Sequence, residues 1–304
     1  MSTTLTATLY DAIEDAAARL YIKALHDIPK DVRAGLKQGY DAETDAEQKT
    51  ASKVMLTVLE NIRLADEKSV MVCQDTGLAI YKLLIGNKLI ERGLDMVEIK
   101  NRLRLGAERA TREYPLRSNT VHPLTRKNTQ TNTGQGIPHI KIDFVPDSEM
   151  IELWMAPKGS GSENMSFLRM LKPADGMKAV KKFVLECVFD SGANPCPPTI
   201  VGIGIGGTSD LAAAMAKEAS CFRKVGTKNP DPLVAQLETE LLDLINQTGI
   251  GPQGLGGVTT AMAVNIEWAH THISQLPVAL NMQCWRGERA CALIDAEGNT
   301  TYPD

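Results

Sequence analysis

The sequence predicts an α/β (α+β) fold, with a helical N-terminal layer packed on an α/β core that contains a mixed sheet. Two observations support this prediction. Apolar residues recur at helical spacing through the first third of the chain, and strand-like apolar runs begin near residue 137. We expect one domain over residues 1–304, with a helical part over about 1–115 and the α/β core over about 116–304.

Six helices are predicted, three in the helical part and three in the α/β core. In each, apolar residues three or four positions apart share one face. In the first helix this face runs from Leu5 to Leu25, and Pro29 and the Gly35–Gly39 region then interrupt the pattern. Thr208 or Ser209 is expected to cap the helix that reaches Glu218. The other four helices are predicted over residues 46–64, 96–112, 178–189 and 232–247.

Five strands are predicted in the second part of the chain. Residues 137–145 alternate between apolar and polar side chains, and residues 150–156 follow after a turn at Pro146 and Asp147. Residues 199–205 form a continuous apolar run, which is typical of a buried strand. The last two strands are expected over residues 258–266 and 278–282.

The composition argues against several classes of function. With 33 Lys and Arg against 37 Asp and Glu, the net charge of −4 disfavours a nucleic-acid-binding surface. A membrane span needs a run of about 18 apolar residues, and the sequence has none. The first thirty residues lack the basic and apolar regions of a secretory signal, so we expect a cytoplasmic protein.

Six cysteines are scattered along the chain without a Cys-x-x-Cys pair, which argues against a disulfide framework and a zinc ribbon. Cys187 lies on an apolar helix face, and we interpret it, with Cys221 and Cys291, as a packing thiol. Cys73, Cys196 and Cys284 lie in loops rich in turn residues. They are either inert thiols or ligands of a metal or iron–sulfur site.

Four polar loops carry the candidate functional residues. They are CQDTG at 73–77, KGSGSEN at 158–164, NPCPP at 194–198 and NMQCWR at 281–286. Each adjoins an apolar run or a predicted strand, and loops at strand ends are where α/β proteins place their functional groups. Lys158 and Asn164 are the weaker candidates, and both are equally explained as turn residues.

The segment Gly202–Gly207 fits the G-x-G-x-x-G pattern of dinucleotide-binding proteins, between a predicted strand and a helix. However, an acidic residue is expected about 20 residues later, and residues 223–230 read RKVGTKNP instead. Close strand–helix packing, or backbone donors for an anionic group, therefore explains these glycines better. A Rossmann-type oxidoreductase stays open as an alternative of a different class.

Four motifs together carry a family resemblance. They are CQDTG at 73–77, ANPCPPTIVGIGIGGTSD at 193–210, TGIGPQGLGG at 248–257 and THISQLPVALNMQC at 271–284. The chain resembles the class I fumarate hydratases and equally the α subunit of L(+)-tartrate dehydratases, over nearly its whole length. The resemblance implies an oxygen-sensitive hydro-lyase in which Cys73, Cys196 and Cys284 hold a [4Fe–4S] cluster. One iron of that cluster is open, and the cluster is lost readily in air.

The resemblance also implies roles for four residues that contact substrate. Gln74 and Asp75 match positions beside the first cluster cysteine, where Asp75 takes part in proton transfer or orients the hydroxyl. Arg117 matches an arginine that binds a substrate carboxylate in bidentate fashion. Gly161 matches a glycine whose backbone approaches the substrate. The structural alternatives are an Asx turn at Asp75 and a surface salt bridge at Arg117.

His272 matches a histidine that works with Asp75 in proton transfer. On sequence alone, His270 competes for this role, and a capping function is the structural alternative for either residue. His122 and His139 are interpreted as structural.

The implied reaction is the reversible hydration of a four-carbon dicarboxylate, with fumarate and L-malate favoured by KGSGSENMSFL at 158–168. Dehydration of L(+)-tartrate to oxaloacetate is the alternative. Single-chain members of the family continue into a second domain that completes the site. We therefore expect an α subunit that needs a separate β subunit, in a hetero-oligomer such as α2β2. A non-catalytic interaction subunit with structural cysteines is a third hypothesis.

Overall fold

The computed structural model describes residues 7–303 and confirms an α/β fold with mixed sheets. The helices are α1 (Ala7–His26), α2 (Lys30–Asp45), α3 (Lys49–Lys68), α4 (Asn87–Glu91), α5 (Met96–Glu113), α6 (Ser160–Glu163), α7 (Gly176–Ser191), α8 (Ser209–Phe222) and α9 (Pro232–Asn246). The strands are β1 (Leu78–Gly86), β2 (His139–Val145), β3 (Ile151–Lys158), β4 (Ser166–Leu171), β5 (Thr199–Gly206), β6 (Ala261–Ala269), β7 (Leu276–Gln283), β8 (Ala290–Ile294) and β9 (Thr300–Thr301).

The chain divides into two units, and each unit has its own sheet. Unit 1 comprises residues 7–29, 68–158 and 288–303, and unit 2 comprises residues 30–67 and 159–287. Within residues 7–303, no helix is both long enough and apolar enough to cross a membrane.

Unit 1 contains a five-stranded sheet in the order β2-β1-β3-β8-β9. β1 pairs in parallel with β2 and antiparallel with β3, which makes the sheet mixed. Helices α1 and α5 pack together over this sheet around a core that includes Leu9, Ile13 and Leu83. A Cβ at Gly106 would lie 2.6 Å from the carbonyl oxygen of Glu14, so this glycine permits the close approach of the two helices.

The strand β1 lies within the region that was predicted to be helical, and this part of the prediction is wrong. The run LAIYKLLIG is apolar almost throughout, and such a run does not distinguish a buried strand from a buried helix. Hydrogen-bond pairing with β2 and β3 makes this run a strand. The predicted helix face around α1 is confirmed from Leu9 onward, and Leu5 lies outside the described residues.

Unit 2 contains a four-stranded sheet in the order β4-β7-β5-β6, with β5 parallel to β6 and antiparallel to β7. Alternate residues of β5 face opposite sides. Val201 and Ile203 pack with α7 and α9, whereas Gly202 and Gly204 face α8. Helices therefore cover both faces of this sheet.

Helix α2 runs through the glycines that were expected to interrupt the helical pattern. A Cβ at Gly35 would lie 3.1 Å from Val225 Cγ1, and one at Gly39 would lie 2.9 Å from Thr259 Cγ2. These glycines therefore allow α2 to pack closely on its neighbours. The short strands β4, β8 and β9 were also not predicted, because each is too short to show a clear alternation.

Candidate functional site

The CQDTG loop leads into β1 and is anchored by Tyr21, whose hydroxyl donates a 2.9 Å hydrogen bond to the carbonyl of Gly77. Burial raises the pKa of Tyr21, and the negative charges of Asp75 and Glu288 raise it further, so the hydroxyl stays protonated. Gly77 has a φ of 74°, and a Cβ there would lie 2.7 Å from the carbonyl carbon of Lys158. Only glycine allows the loop to turn this closely against the end of β3.

Asp75 is half-buried in this loop and accepts two hydrogen bonds at Oδ1. The backbone N–H of Gly77 lies 3.3 Å away, which is an Asx-turn contact, and Asn119 Nδ2 lies 2.9 Å away. Cys73 is half-buried, and Gln74 is exposed. Arg117 is exposed two residues before Asn119, in the same unit. The catalytic and substrate-binding roles of these side chains stay predictions.

In unit 2, a backbone hydrogen bond joins two of the loops that carry cysteines. The N–H of Trp285 donates to the carbonyl oxygen of Cys196 over 3.2 Å. Cys196 is exposed and has a φ of 57°, a left-handed conformation that costs a non-glycine residue about 1 kcal/mol. Cys284 is buried.

The loop after Cys196 is held by Gln253. The carbonyl oxygen of Pro197 accepts from both the backbone N–H of Gln253 at 2.9 Å and its Nε2 at 2.7 Å. A little further on, the buried carboxylate of Glu43 in α2 accepts from the N–H groups of Val258, at 2.9 Å, and Thr259, at 2.6 Å. Glu43 and Gln253 thus fix the 250–259 segment beside the Cys196 loop.

Gly161 and its neighbours bring a third loop to the same end of the unit 2 sheet. A Cβ at Gly161 would lie 2.8 Å from the carbonyl oxygen of Asn194. Next to it, Ser162 Oγ donates to Gln283 Oε1 over 3.3 Å. The predicted loops at 194–198 and 281–286 and the turn at Gly161 therefore lie together. Of the weaker candidates, Lys158 is buried at the end of β3 and Asn164 is exposed.

His272 lies at the other end of β7 from Cys284, so the whole strand separates the two residues. Its side chain is exposed, and Nδ1 accepts from the N–H of Ser274 over 3.1 Å. His270 lies against the ring of Trp268, with 5.4 Å between centroids. Unit 2 does not bring His272 to its cysteine loops, and the proton-transfer role of His272 stays a prediction.

The glycines of the G-x-G-x-x-G segment are explained by packing. A Cβ at Gly202 would lie 2.1 Å from the carbonyl oxygen of Ala216, and one at Gly204 would lie 2.0 Å from that of Ala212. Both contacts are with the backbone of α8, which cannot move aside. The two glycines are therefore required for β5 and α8 to pack at this distance.

The first turn of α8 contains its own acidic residue, Asp210. The Thr208 hydroxyl and the N–H groups of Asp210 and Leu211 favour the ionised Asp210 carboxylate and lower its pKa. These donors would otherwise face a bound phosphate. The structure therefore favours the packing interpretation over dinucleotide binding.

The three loop cysteines fit an iron–sulfur cluster by their donor chemistry. None of the six cysteines forms a disulfide, and thiolates are the usual ligands of such clusters. Among the described residues, no three His, Cys, Asp or Glu side chains form a group that could hold a metal ion. A cluster does not require such a group, because each thiolate binds a different iron. The other cysteines are buried, and burial raises the pKa of Cys187 to about 12.

Sequence reasoning missed four residues that organise these loops: Tyr21, Glu43, Asn119 and Gln253. Gln253 lies inside the motif TGIGPQGLGG, and Asn119 lies two residues after the candidate Arg117, so their polar side chains were the available signal. Tyr21 and Glu43 lie on helices, where no local pattern marks them. Their partners are 56 and 215 residues away in the sequence.

Comparison with known proteins identifies a family and its relatives. The family model described as Fumarate hydratase (Fumerase) matches residues 14–292. The chain is 44% identical over 283 residues to the "Putative L(+)-tartrate dehydratase subunit alpha" of Methanocaldococcus jannaschii, covering 93% of this chain and 97% of that protein. It is 35% identical over 270 residues to the "L(+)-tartrate dehydratase subunit alpha" of Escherichia coli strain K12, covering 89% and 86%.

Proposed function

This chain belongs to the fumarate hydratase family of hydro-lyases, and we propose that it is the α subunit of an iron–sulfur enzyme that hydrates and dehydrates a four-carbon dicarboxylate. The observation that carries this proposal is the Trp285–Cys196 hydrogen bond, which joins two of the three predicted ligand loops. The family and the relatives named above support the class of reaction.

The thiolates of Cys73, Cys196 and Cys284 would hold a [4Fe–4S] cluster. An iron of this cluster without a protein ligand supplies a Lewis acid for a substrate carboxylate and hydroxyl. The thiol of Cys187 is buried on α7, and its raised pKa disfavours the thiolate that a ligand requires. Six cysteines without a disulfide also suit a reducing compartment, and we propose the cytoplasm.

The polar residues around these loops would bind and orient the substrate. The exposed guanidinium of Arg117 presents paired N–H donors that suit a carboxylate. The Asp75 carboxylate, held at Oδ1 by Asn119 and Gly77, would accept or return a proton at the substrate carbon. Gln74 offers an exposed amide, and the backbone of Gly161 would contact the substrate.

A separate β subunit would complete the enzyme. The relatives are named as subunit alpha, and they match this chain over 97% and 86% of their length. We propose a hetero-oligomer such as α2β2. The isolated α chain is then expected to have little hydratase activity even with a loaded cluster.

Fumarate with L-malate is our first candidate pair, and the names of the relatives favour L(+)-tartrate as the second. L-malate and L(+)-tartrate differ by one hydroxyl, so the choice depends on a small number of polar contacts. The discriminating experiment assays the α and β chains together under anaerobic conditions, with fumarate, L-malate and both tartrate enantiomers in parallel.

The same preparation separates the three classes of function. Visible absorbance of a loaded cluster together with turnover of a dicarboxylate supports the hydro-lyase. Tight nicotinamide binding without a cluster would support the oxidoreductase instead. If the preparation shows no cluster and binds no nicotinamide, the non-catalytic interaction subunit is the remaining hypothesis. The proposal would then be abandoned.

A further inference from the structure

Asn119 fixes the orientation of the Asp75 carboxylate. Its Nδ2 donates to Asp75 Oδ1 over 2.9 Å, and the N–H of Gly77 reaches the same oxygen at 3.3 Å. Asn119 lies 44 residues from Asp75 in the sequence, and Gly77 lies two residues from it. Together they restrict rotation of the carboxylate about its Cβ–Cγ bond, because rotation would break the shorter hydrogen bond.

Asn119 is itself held by a buried asparagine. Asn132 is fully buried and has a φ of 54°, a left-handed conformation that Asn tolerates better than most residues. Its Oδ1 accepts from the backbone N–H of Asn119 at 2.7 Å, and its Nδ2 donates to the carbonyl of Arg117 at 3.1 Å. Nδ2 also lies 3.3 Å from Thr111 Oγ1, which connects it to α5.

The Asn132 amide thus takes the place of a neighbouring strand. In an extended chain, the carbonyl of one residue and the N–H two positions later point to the same side, where one partner can bind both. The segment from Arg117 to Asn119 meets this condition. Side chains two positions apart in an extended chain leave on the same face. An extended segment would place the Arg117 side chain on the face from which Asn119 contacts Asp75.

We propose that Asn119 is a positioning residue for Asp75, and that Asn132 sets the spacing between Asp75 and Arg117. This inference rests on the proposed function, because it assumes that Asp75 and Arg117 act on the dicarboxylate. Loss of the Asn119 amide leaves the Arg117 backbone in place and removes the shorter of the two hydrogen bonds that orient the Asp75 carboxylate at Oδ1. The expected defect is therefore in the chemical reaction, with substrate binding little changed.

The test compares Asn119→Ala with Ser118→Ala in the anaerobic complex of α and β chains, at equal iron–sulfur content. Ser118 is an adjacent, equally half-buried residue whose hydroxyl donates to Asn128 Oδ1 at 2.7 Å, so it is a matched control. We expect Asn119→Ala to lower kcat about 100-fold and to change KM less than about twofold. Ser118→Ala should keep both constants within about twofold of wild type.

Asn119→Asp provides a second variant that keeps the size of the side chain. It replaces the donor with an acceptor facing Asp75 and should lower kcat at least as much as Asn119→Ala. Equal kcat in wild type and both Asn119 variants would overturn the inference, as would an equal loss in Ser118→Ala. Anaerobic crystal structures of the complexes provide a readout independent of activity, and the Asp75 carboxylate should rotate only in the Asn119 variants. If it rotates but the wild-type complex acts on no four-carbon dicarboxylate, the proposed function fails and the positioning role stands.

Discussion

The backbone N–H of Trp285 donates a hydrogen bond to the carbonyl oxygen of Cys196, and Trp285 directly follows Cys284. The sheet register explains why the two cysteines meet. β5 begins three residues after Cys196, β7 ends one residue before Cys284, and Ile200 pairs with Gln283. The antiparallel pairing of β5 and β7 therefore brings the two loops to one end of the sheet, although they are far apart in the sequence.

Cys196→Ala should prevent assembly of a complete cluster. The loop thiol is one of three predicted ligands, and an alanine cannot replace a thiolate. Anaerobic reconstitution followed by iron analysis and visible absorbance measures this directly. Cys187→Ala is the matched control, because Cys187 is a buried thiol on α7. Equal iron content in the two variants would contradict the ligand assignment.

Alkylation should distinguish the exposed loop thiol from the packing thiols. Burial raises the pKa of Cys187 to about 12. At pH 8 about one Cys187 side chain in ten thousand is then a thiolate, the form that reacts. Cys196 is exposed to the reagent. We expect iodoacetamide to modify Cys196 long before Cys187 in the native chain without metal. Peptide mass spectrometry measures the extent of modification at each cysteine. In denaturant the two cysteines should react at the same rate. Similar rates in the native chain would refute the claim that burial protects Cys187.

Gly204→Ala should destabilise the protein strongly. The added Cβ would lie 2.0 Å from the carbonyl oxygen of Ala212, so β5 and α8 would have to separate. We expect a loss of about 3 kcal/mol or more in the free energy of unfolding, measured in urea. Gly134→Ala is the control, since its nearest neighbour would be Thr129 Cγ2 at 3.5 Å. It should change stability by less than about 0.5 kcal/mol. Similar stabilities in the two variants would refute the packing role of Gly204.

Glu43→Ala should loosen the segment that holds the Cys196 loop. Removing the carboxylate leaves the N–H groups of the buried Thr259 and the exposed Val258 without this acceptor, and the loss at Thr259 costs about 2 kcal/mol in the free energy of unfolding. Glu43→Gln keeps one carbonyl acceptor and should cost about 1 kcal/mol. The exposed Glu47 provides the control Glu47→Ala, which should be close to neutral. A Glu43→Ala variant as stable as this control would contradict the role of Glu43 in fixing the 250–259 segment.

Much of the fold followed from periodicity in the sequence. Helices α3 and α5 were predicted because their apolar residues form one clear face. β1 was missed because its apolar run lacks alternation, and α2 was missed because its glycines are used for packing against residues that local sequence does not reveal. Such features depend on neighbours that are distant in the chain.

The candidate site was predictable in its motifs but not in its supporting contacts. The Cys196 and Cys284 loops were identified by their turn residues and by resemblance, and the structure places these two loops together. The Asn119–Asp75 hydrogen bond joins residues 44 positions apart, so only the tertiary structure reveals it. His272 was chosen by its position in a motif, and β7 holds it away from Cys284.

The dependence of turnover on iron–sulfur content tests the account most directly. The α and β chains would be combined anaerobically with graded amounts of iron and sulfide, and the initial rate of dicarboxylate conversion would be plotted against the cluster content of each sample. We predict a rate that rises in proportion to cluster content and falls to background in Cys196→Ala. A full rate in iron-free protein would contradict the account.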